Sequence, residues 1–350
     1  MSVPDFQAGP FQAYRLHAPA LPATLPDARF VSLRADELSP GNVLIRIAYS
    51  SINFKDALAW AGRNSIVRQY PRIGGIDYTG TVEASGDPRV APGTPVVVHG
   101  FGTGVDQDGG HAQYARVPAD MVLPLPAGLS LLDAATLGAA GYTAALSLDA
   151  MEHNGLTPEA GPVAVTGATG GVASVAIDLF AARGYRVAAI TGKADQADYL
   201  RGLGASEVLP RDTFWSSAGP SAAPGAGTSR KPLDKGVWAG GVDSVGGETL
   251  AGMIRAMQMN GVVTAFGNAA GADLPTNVLP FILRGVRLIG INANSLMPLR
   301  TRIWQRLATD LKPRHLAAIR QMITLQQLPE ALAQVLAGGA RGRFVIDMSA

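Results

Sequence analysis

Val163-Ala-Val-Thr-Gly-Ala-Thr-Gly-Gly-Val-Ala173 is the stretch on which the fold turns. Val163 to Thr166 reads as a short buried strand, and the glycines at 167, 170 and 171 make a turn. An alanine-rich amphipathic run then continues to Arg183, with Gly184 where a helix-terminating glycine belongs. This strand–turn–helix suits an anionic ligand. Glycine lets the backbone turn tightly and approach a pyrophosphate, while the helix N-terminus offers unpaired N–H groups and the positive end of its dipole. Ala173 ends a G-x-x-A spacing in which a small side chain permits close helix–strand packing.

The next strand, Arg186 to Ile190, is where a dinucleotide's ribose is read. An NAD site normally places Asp or Glu there to bind the 2′-hydroxyl. This chain has Thr191-Gly192-Lys193 instead, and no acid until Asp195. A hydroxyl, a glycine-exposed N–H and an ammonium suit a 2′-phosphate, with Arg211 as a second cation, so NADPH is the expected cofactor.

Beyond the glycine turn, strand and helix patterns alternate: Gln196 to Leu203 helical, then strands at Val208-Leu209, Gly241 to Val245, Val262 to Phe266 and Leu288 to Ile291. That order predicts an α/β fold with a doubly wound parallel sheet, covered on both faces. The first third differs. Val43, Ile45 and Ile47 alternate with Leu44, Arg46 and Ala48, and short strands at Thr81 to Ala84 and Val96 to His99 lie between close turns, which predicts a compact β-rich domain. Helices are expected over Arg302 to Leu311 and Leu316 to Leu336, followed by a strand, Arg343 to Met348, that returns to the N-terminal domain. The expected division is 1–128 with 295–350, and 129–294. Ser216 to Ser229, without charge or periodicity, reads as a surface loop.

Composition narrows the chemistry. The 350 residues are 47% hydrophobic and 16% charged, with no cysteine and a net charge of +2. Disulfides, thiolate metal sites and a cysteine nucleophile are excluded, and no broad attraction to nucleic acid or membrane is expected. Met1 to Tyr14 lacks the apolar core of an export signal, so a cytoplasmic location is expected. The five histidines show no metal-ligand spacing, so no metal site is predicted, and neither a G-x-S-x-G elbow nor a Walker lysine is present. Hydride transfer is then expected to reach an acceptor already electrophilic, such as a conjugated enone-type system or a quinone.

Five further segments stand in order: Ser50-Ser-Ile-Asn-Phe-Lys-Asp-Ala-Leu58, Ile76-Asp-Tyr-Thr-Gly-Thr-Val82, Ala140-Gly-Tyr-Thr-Ala-Ala145, Gly240-Gly-Val-Asp-Ser-Val-Gly-Gly247 and Leu279-Pro-Phe-Ile-Leu-Arg-Gly-Val286. With them the chain resembles the zinc-free medium-chain dehydrogenase/reductases, in the acryloyl-CoA reductase branch whose members also carry the label quinone oxidoreductase. The resemblance runs from Tyr14 to Asp347 apart from the Ser216–Ser229 insertion. It implies a discontinuous GroES-like catalytic domain and a Rossmann domain with NADPH in the cleft between them. Thr169, Gly170, Gly171 and Val172 would hold the pyrophosphate, and Thr191, Gly192, Lys193 and Arg211 the 2′-phosphate. Phe266, Gly267 and Ile291 would line the nicotinamide side. Asn53, Phe54, Lys55 and Asp56 would form part of the catalytic wall, Phe54 also touching the cofactor.

The implied reaction is NADPH-dependent reduction of an activated C=C bond, acryloyl-CoA to propionyl-CoA. Alternatives are NADPH:quinone oxidoreduction and a non-catalytic NADPH sensor. The expected partner is a small enoyl-CoA thioester or quinone, and the architecture implies a homodimer. Arg68, Arg284 and Arg287 are candidates for the CoA phosphates. Two departures stand out. Phe54 replaces the tyrosine often found in related enoyl reductases and has no proton to give, which leaves water, Lys55 or Asp56; and Gly74-Gly-Ile-Asp77 replaces Pro-Gly-Ile-Asp.

Overall fold

The computed structural model describes residues 9–20, 25–211 and 232–350; the Ser216–Ser229 segment and residues 1–8 of the N-terminal reading lie outside them. In chain order the main elements are β1 (Phe11–His17), β2 (Asp27–Leu33), β3 (Val43–Ser51), α1 (Phe54–Trp60), β4 (Arg72–Ile73), β5 (Asp77–Ser85), β6 (Pro95–His99), β7 (Tyr114–Val117), β8 (Leu123–Pro124) and α2 (Leu131–His153). Then come β9 (Val163–Thr166), α3 (Gly171–Ala182), β10 (Val187–Thr191), α4 (Ala197–Gly202), β11 (Glu207–Pro210), β12 (Trp238–Asp243), α5 (Gly247–Arg255), β13 (Met257–Ala265), α6 (Leu279–Arg284) and β14 (Arg287–Gly290). The chain closes with α7 (Met297–Ala308), α8 (Leu316–Ile319), β15 (Arg320–Thr324), α9 (Leu328–Leu336) and β16 (Arg343–Asp347).

Two compact units emerge, one of residues 1–140, 294–309 and 319–350, the other of residues 141–293 and 310–318. The first is built on a seven-stranded sheet in the order β15-β16-β3-β5-β6-β8, with β7 also on β3, beside a three-stranded sheet β2-β1-β4. Val43, Ile45, Ile47, Val82, Val96 and Val98 point into one core with Phe344 and Ile346 of the last strand. That strand runs antiparallel to β3, Val345 opposite Ser51, so the C-terminus completes a sheet begun some 300 residues earlier in the chain.

The second unit carries a six-stranded sheet in the order β11-β10-β9-β12-β13-β14, every pairing parallel. β9 through β12 are buried along their length apart from the edge strand β11, as a sheet covered by helices on both faces requires. Strand order runs one way from β9 to β11 and the other way from β12 to β14. The reversal between β9 and β12 leaves a crevice at the strands' carboxyl ends, where ligands bind in open α/β sheets.

One sequence expectation fails. Leu316 to Leu336 is not a single helix: Arg320–Thr324 forms a strand paired in parallel with Arg343–Asp347. The free edge of β16 supplies hydrogen-bond partners that override a helix-like local pattern. Helix α2 has the length and hydropathy of a membrane span, and 83% of its apolar window is buried inside the protein.

Candidate active site

The second unit presents a cradle at the carboxyl ends of its strands. Gly167 leaves β9 at φ +59°, and a Cβ there would lie 2.4 Å from Ser244 Oγ. Glycine makes that turn without strain or crowding. Gly170 is the N-cap of the twelve-residue helix α3, and no side chain caps it. The first-turn N–H groups therefore stay available to an anion. Ala173 and Thr169 are buried beside the turn. Asp243 ties β12 to β9: it accepts the Thr166 hydroxyl at 2.7 Å and the Gly246 N–H at 2.7 Å. Burial pushes its carboxyl pKa up, against those hydrogen bonds.

At the end of β10, the Lys193 N–H donates to Thr191 Oγ1 at 3.0 Å, and the Arg211 N–H donates to the Thr191 carbonyl at 3.0 Å. A Cβ on Gly192 would sit 3.8 Å from the Arg211 guanidinium, so that guanidinium lies beside the Thr191–Lys193 turn. Partial burial lowers the Lys193 pKa and the Asp195 charge opposes that. Phe266 and Gly267 follow β13, and the Phe266 N–H binds the Asp243 carbonyl at 3.1 Å. Ile291 follows β14, its N–H on the Ala265 carbonyl at 2.9 Å. All these residues lie at the carboxyl ends of the parallel strands. A bare helix N-terminus, and a hydroxyl and a guanidinium at the end of β10 where an NAD site would set a carboxylate, together fit a dinucleotide bearing a 2′-phosphate.

In the first unit, the four residues expected on the catalytic wall divide. Phe54 and Lys55 are exposed on the first turn of α1, Phe54 by 46%. Asp56 is buried, and its carboxyl accepts N–H groups from Asn53 at 2.8 Å, Gly75 at 3.2 Å and Ile76 at 3.0 Å. Desolvation, then the charge of Asp77, raise its pKa to about 7 despite those bonds and a contact from the Asn53 side chain.

Asn53, half-buried at the head of α1, joins a buried network that the sequence reading did not assemble. Its Nδ2 donates to Asp77 Oδ2 at 3.0 Å and its Oδ1 accepts from Arg343 Nη1 at 2.8 Å. Arg343 and Asp77 form a fully buried ion pair at 3.2 Å. The remaining donors of Arg343 go to the carbonyls of Thr136 (3.2 Å) and Ile52 (2.9 Å) and to Ser51 Oγ, so all five of its N–H groups are matched. Asp77 also accepts from Ser51 Oγ and from the Ala139 N–H at 2.7 Å.

That last bond explains the break in α2. Gly138 departs from helical geometry (φ +48°, ψ −150°), and the ion pair inserts there. A Cβ on Gly138 would fall 2.4 Å from Asp77 Oδ2 and 2.8 Å from Arg343 Nη2. Two signals for the network were present in the sequence: Asp77 heads the run Tyr78-Thr-Gly-Thr-Val82, and Arg343 heads the strand pattern that follows it. A charge in a buried run needs a partner, but nothing in the linear order pairs residues 266 positions apart.

Two of the three arginines considered for CoA phosphates are occupied otherwise. Arg284 donates to the carbonyls of Arg255 at 2.9 Å, Met257 at 2.7 Å and Asp234, and Arg287 donates to those of Asn154 and Asn260. Arg68 is exposed. Among the described residues no group of three or more His, Cys, Asp or Glu side chains is placed to hold a metal ion.

Residues 39–127 match the alcohol dehydrogenase GroES-like domain. The chain is 43% identical to the acrylyl-CoA reductase AcuI of Ruegeria pomeroyi over 91% of its own length and 93% of that protein's. Among solved structures it resembles the yhdH oxidoreductase of Salmonella enterica in complex with NADP (39% identity, TM-score 0.89, 96% and 99% of the two chains). It also resembles the yhfP protein of Bacillus subtilis with NAD bound (42% identity, TM-score 0.90, 97% and 100%). Sequence match along nearly the whole chain and agreement in fold lead to one assignment: the chain belongs to the medium-chain dehydrogenase/reductases, in the zinc-free branch that includes the acrylyl-CoA reductases.

Proposed function

We propose that the protein is an NADPH-dependent reductase of activated alkenes, with acryloyl-CoA as substrate and propionyl-CoA as product. The observation that carries the cofactor is the Arg211 guanidinium beside Thr191, Gly192 and the Lys193 backbone at the end of β10, a strand that no carboxylate ends. The uncapped N-terminus of α3, with Thr169, Gly170, Gly171 and Val172, would hold the pyrophosphate, and Phe266, Gly267 and Ile291 would flank the nicotinamide. The relative named an acrylyl-CoA reductase supports the substrate class.

When bound, NADPH supplies a hydride for the β-carbon of the enoyl thioester. The protein's part is electrostatic. The Asn53 amide donates to the thioester oxygen as enolate charge develops, and Phe54 packs as an apolar surface beside the reactants. The α-carbon then takes a proton from water, because Phe54 has no hydroxyl and Asp56 is enclosed by three backbone N–H groups. The first unit acts as the catalytic domain and the second as the cofactor domain.

The reading extends to a cytoplasmic homodimer joined through β14. That strand is the outer edge of the six-stranded sheet, and Ile282 and Val278 beside it are 68% and 65% exposed. Light scattering tests the dimer. The activity is tested by NADPH oxidation with acryloyl-CoA beside benzoquinone and an NADH control. Rapid turnover of the thioester supports the reading, and turnover of the quinone alone replaces it with quinone reduction on the same cofactor site.

A further inference from the structure

We propose that Asp77 and Arg343 are positioning residues: the buried pair orients the Asn53 carboxamide so that its nitrogen, and not its oxygen, meets the developing enolate. The inference rests on the reductase reading above. A primary amide has two ends of opposite character, two N–H donors on nitrogen and lone pairs on oxygen. Turned half a circle about its terminal bond, Asn53 would set an acceptor against an oxyanion and oppose the reaction. Two contacts forbid that rotation. Arg343 Nη1 holds Oδ1 at 2.8 Å, Asp77 Oδ2 takes one hydrogen of Nδ2 at 3.0 Å, and the second hydrogen, which makes the least of the contacts on the Asp56 carboxyl, is the one offered to the substrate. Reversal would face carboxylate with carbonyl and guanidinium with amine, losing both charge-assisted bonds together.

The clamp is itself buried and fully hydrogen-bonded. Arg343 is 2% exposed and Asp77 1%, and the guanidinium reaches Thr136, Ile52, Ser51, Asn53 and Asp77 with no donor spare. Ser51 Oγ completes a small ring, accepting from Arg343 Nη2 and donating to Asp77 Oδ1. Asp77 also fixes the broken turn of α2 through the Ala139 N–H. A buried pair of this kind adds little stability over well-packed apolar residues, so its orienting role gives a reason for its presence that stability does not. Lysine at 343 would keep the charge opposite Asp77 but lose the planar fork that serves Asn53 and Ser51 at once.

The test is a double-mutant cycle of kcat and KM for acryloyl-CoA and NADPH on Asn53→Ala, Arg343→Lys and the double variant. Asn53→Ala should lower kcat about a hundredfold, the scale of one lost oxyanion donor. Arg343→Lys should lower it about tenfold, with the KM for NADPH within about twofold of wild type. The double variant should fall no further than Asn53→Ala, because Arg343 acts through a side chain no longer there. Losses that multiply, or an unchanged Arg343→Lys, overturn the inference.

Should Arg343→Lys not fold, Ser51→Ala keeps the ion pair and takes its place in the same cycle, with the same criterion. A second readout does not depend on activity. With asparagine side chains labelled with nitrogen-15, the Asn53 amide protons should shift and exchange faster in the variant, and unchanged signals overturn the inference. If wild type fails to reduce acryloyl-CoA, the reductase reading falls, while the amide signals still decide whether the pair holds Asn53.

Discussion

The backbone N–H of Arg211 donates to the carbonyl of Thr191 at 3.0 Å, and this one bond sets an exposed guanidinium beside the residues that follow β10. Twenty residues separate the two in the chain, and parallel pairing of β10 with β11 brings them level. A cofactor phosphate placed there would meet cations from two loops.

That arrangement predicts cofactor choice. Arg211→Ala with Lys193→Ala should reduce kcat/KM for NADPH by about ten- to a hundredfold per cation, the scale of a hydrogen bond to a charged group. The value for NADH should change by less than about threefold, since NADH brings no 2′-phosphate to these positions. Parallel steady-state kinetics with both cofactors checks this.

Asp56 predicts a pH dependence of stability. Burial raises its pKa from 3.8 to about 7 in the folded protein. Between those values the folded state holds a proton that the unfolded state has released, so the contribution is present below pH 4 and is lost as pH rises through 7. The loss across that window reaches up to about 4 kcal/mol. Denaturant titrations at the acidic and alkaline sides of the window should show wild type losing stability that Asp56→Asn does not lose.

Gly138→Ala should be among the most damaging small substitutions in the chain. Its Cβ would enter the space of Asp77 Oδ2, and its backbone conformation is one that L residues rarely adopt. A loss of about 3 kcal/mol or more is expected, from strain plus displacement of a buried ion pair. Chemical denaturation, with Gly184→Ala as a positive-φ control that meets nothing within 4 Å, separates the crowding from the strain.

Phe54→Tyr tests the proton path. The side chain is 46% exposed, so a hydroxyl enters without burial and stability should change by less than about 0.5 kcal/mol. With a phenol in place, kcat for acryloyl-CoA should rise severalfold and the solvent deuterium isotope effect should shrink, as expected when a positioned acid replaces water. An unchanged isotope effect would remove residue 54 from the proton path.

Local order in the sequence determined much of this protein. The Val163–Ala173 stretch specified strand, turn and helix because glycine tolerance and apolar periodicity are properties of neighbouring residues. The alternation after Leu129 specified a parallel sheet, with Thr191-Gly192-Lys193 turning at the end of one of its strands. Tertiary structure alone decided the rest. A helix-like run at Arg320 became a strand because β16 offered it an edge, and Arg284 and Arg287 turned to backbone carbonyls. Above all, Ser51, Asn53, Asp77, Gly138 and Arg343 meet in one buried network. A buried charge announces in sequence that it needs a counter-charge, but the identity of that partner is a matter of distance after folding, and distance between remote segments is set only when the sheets close.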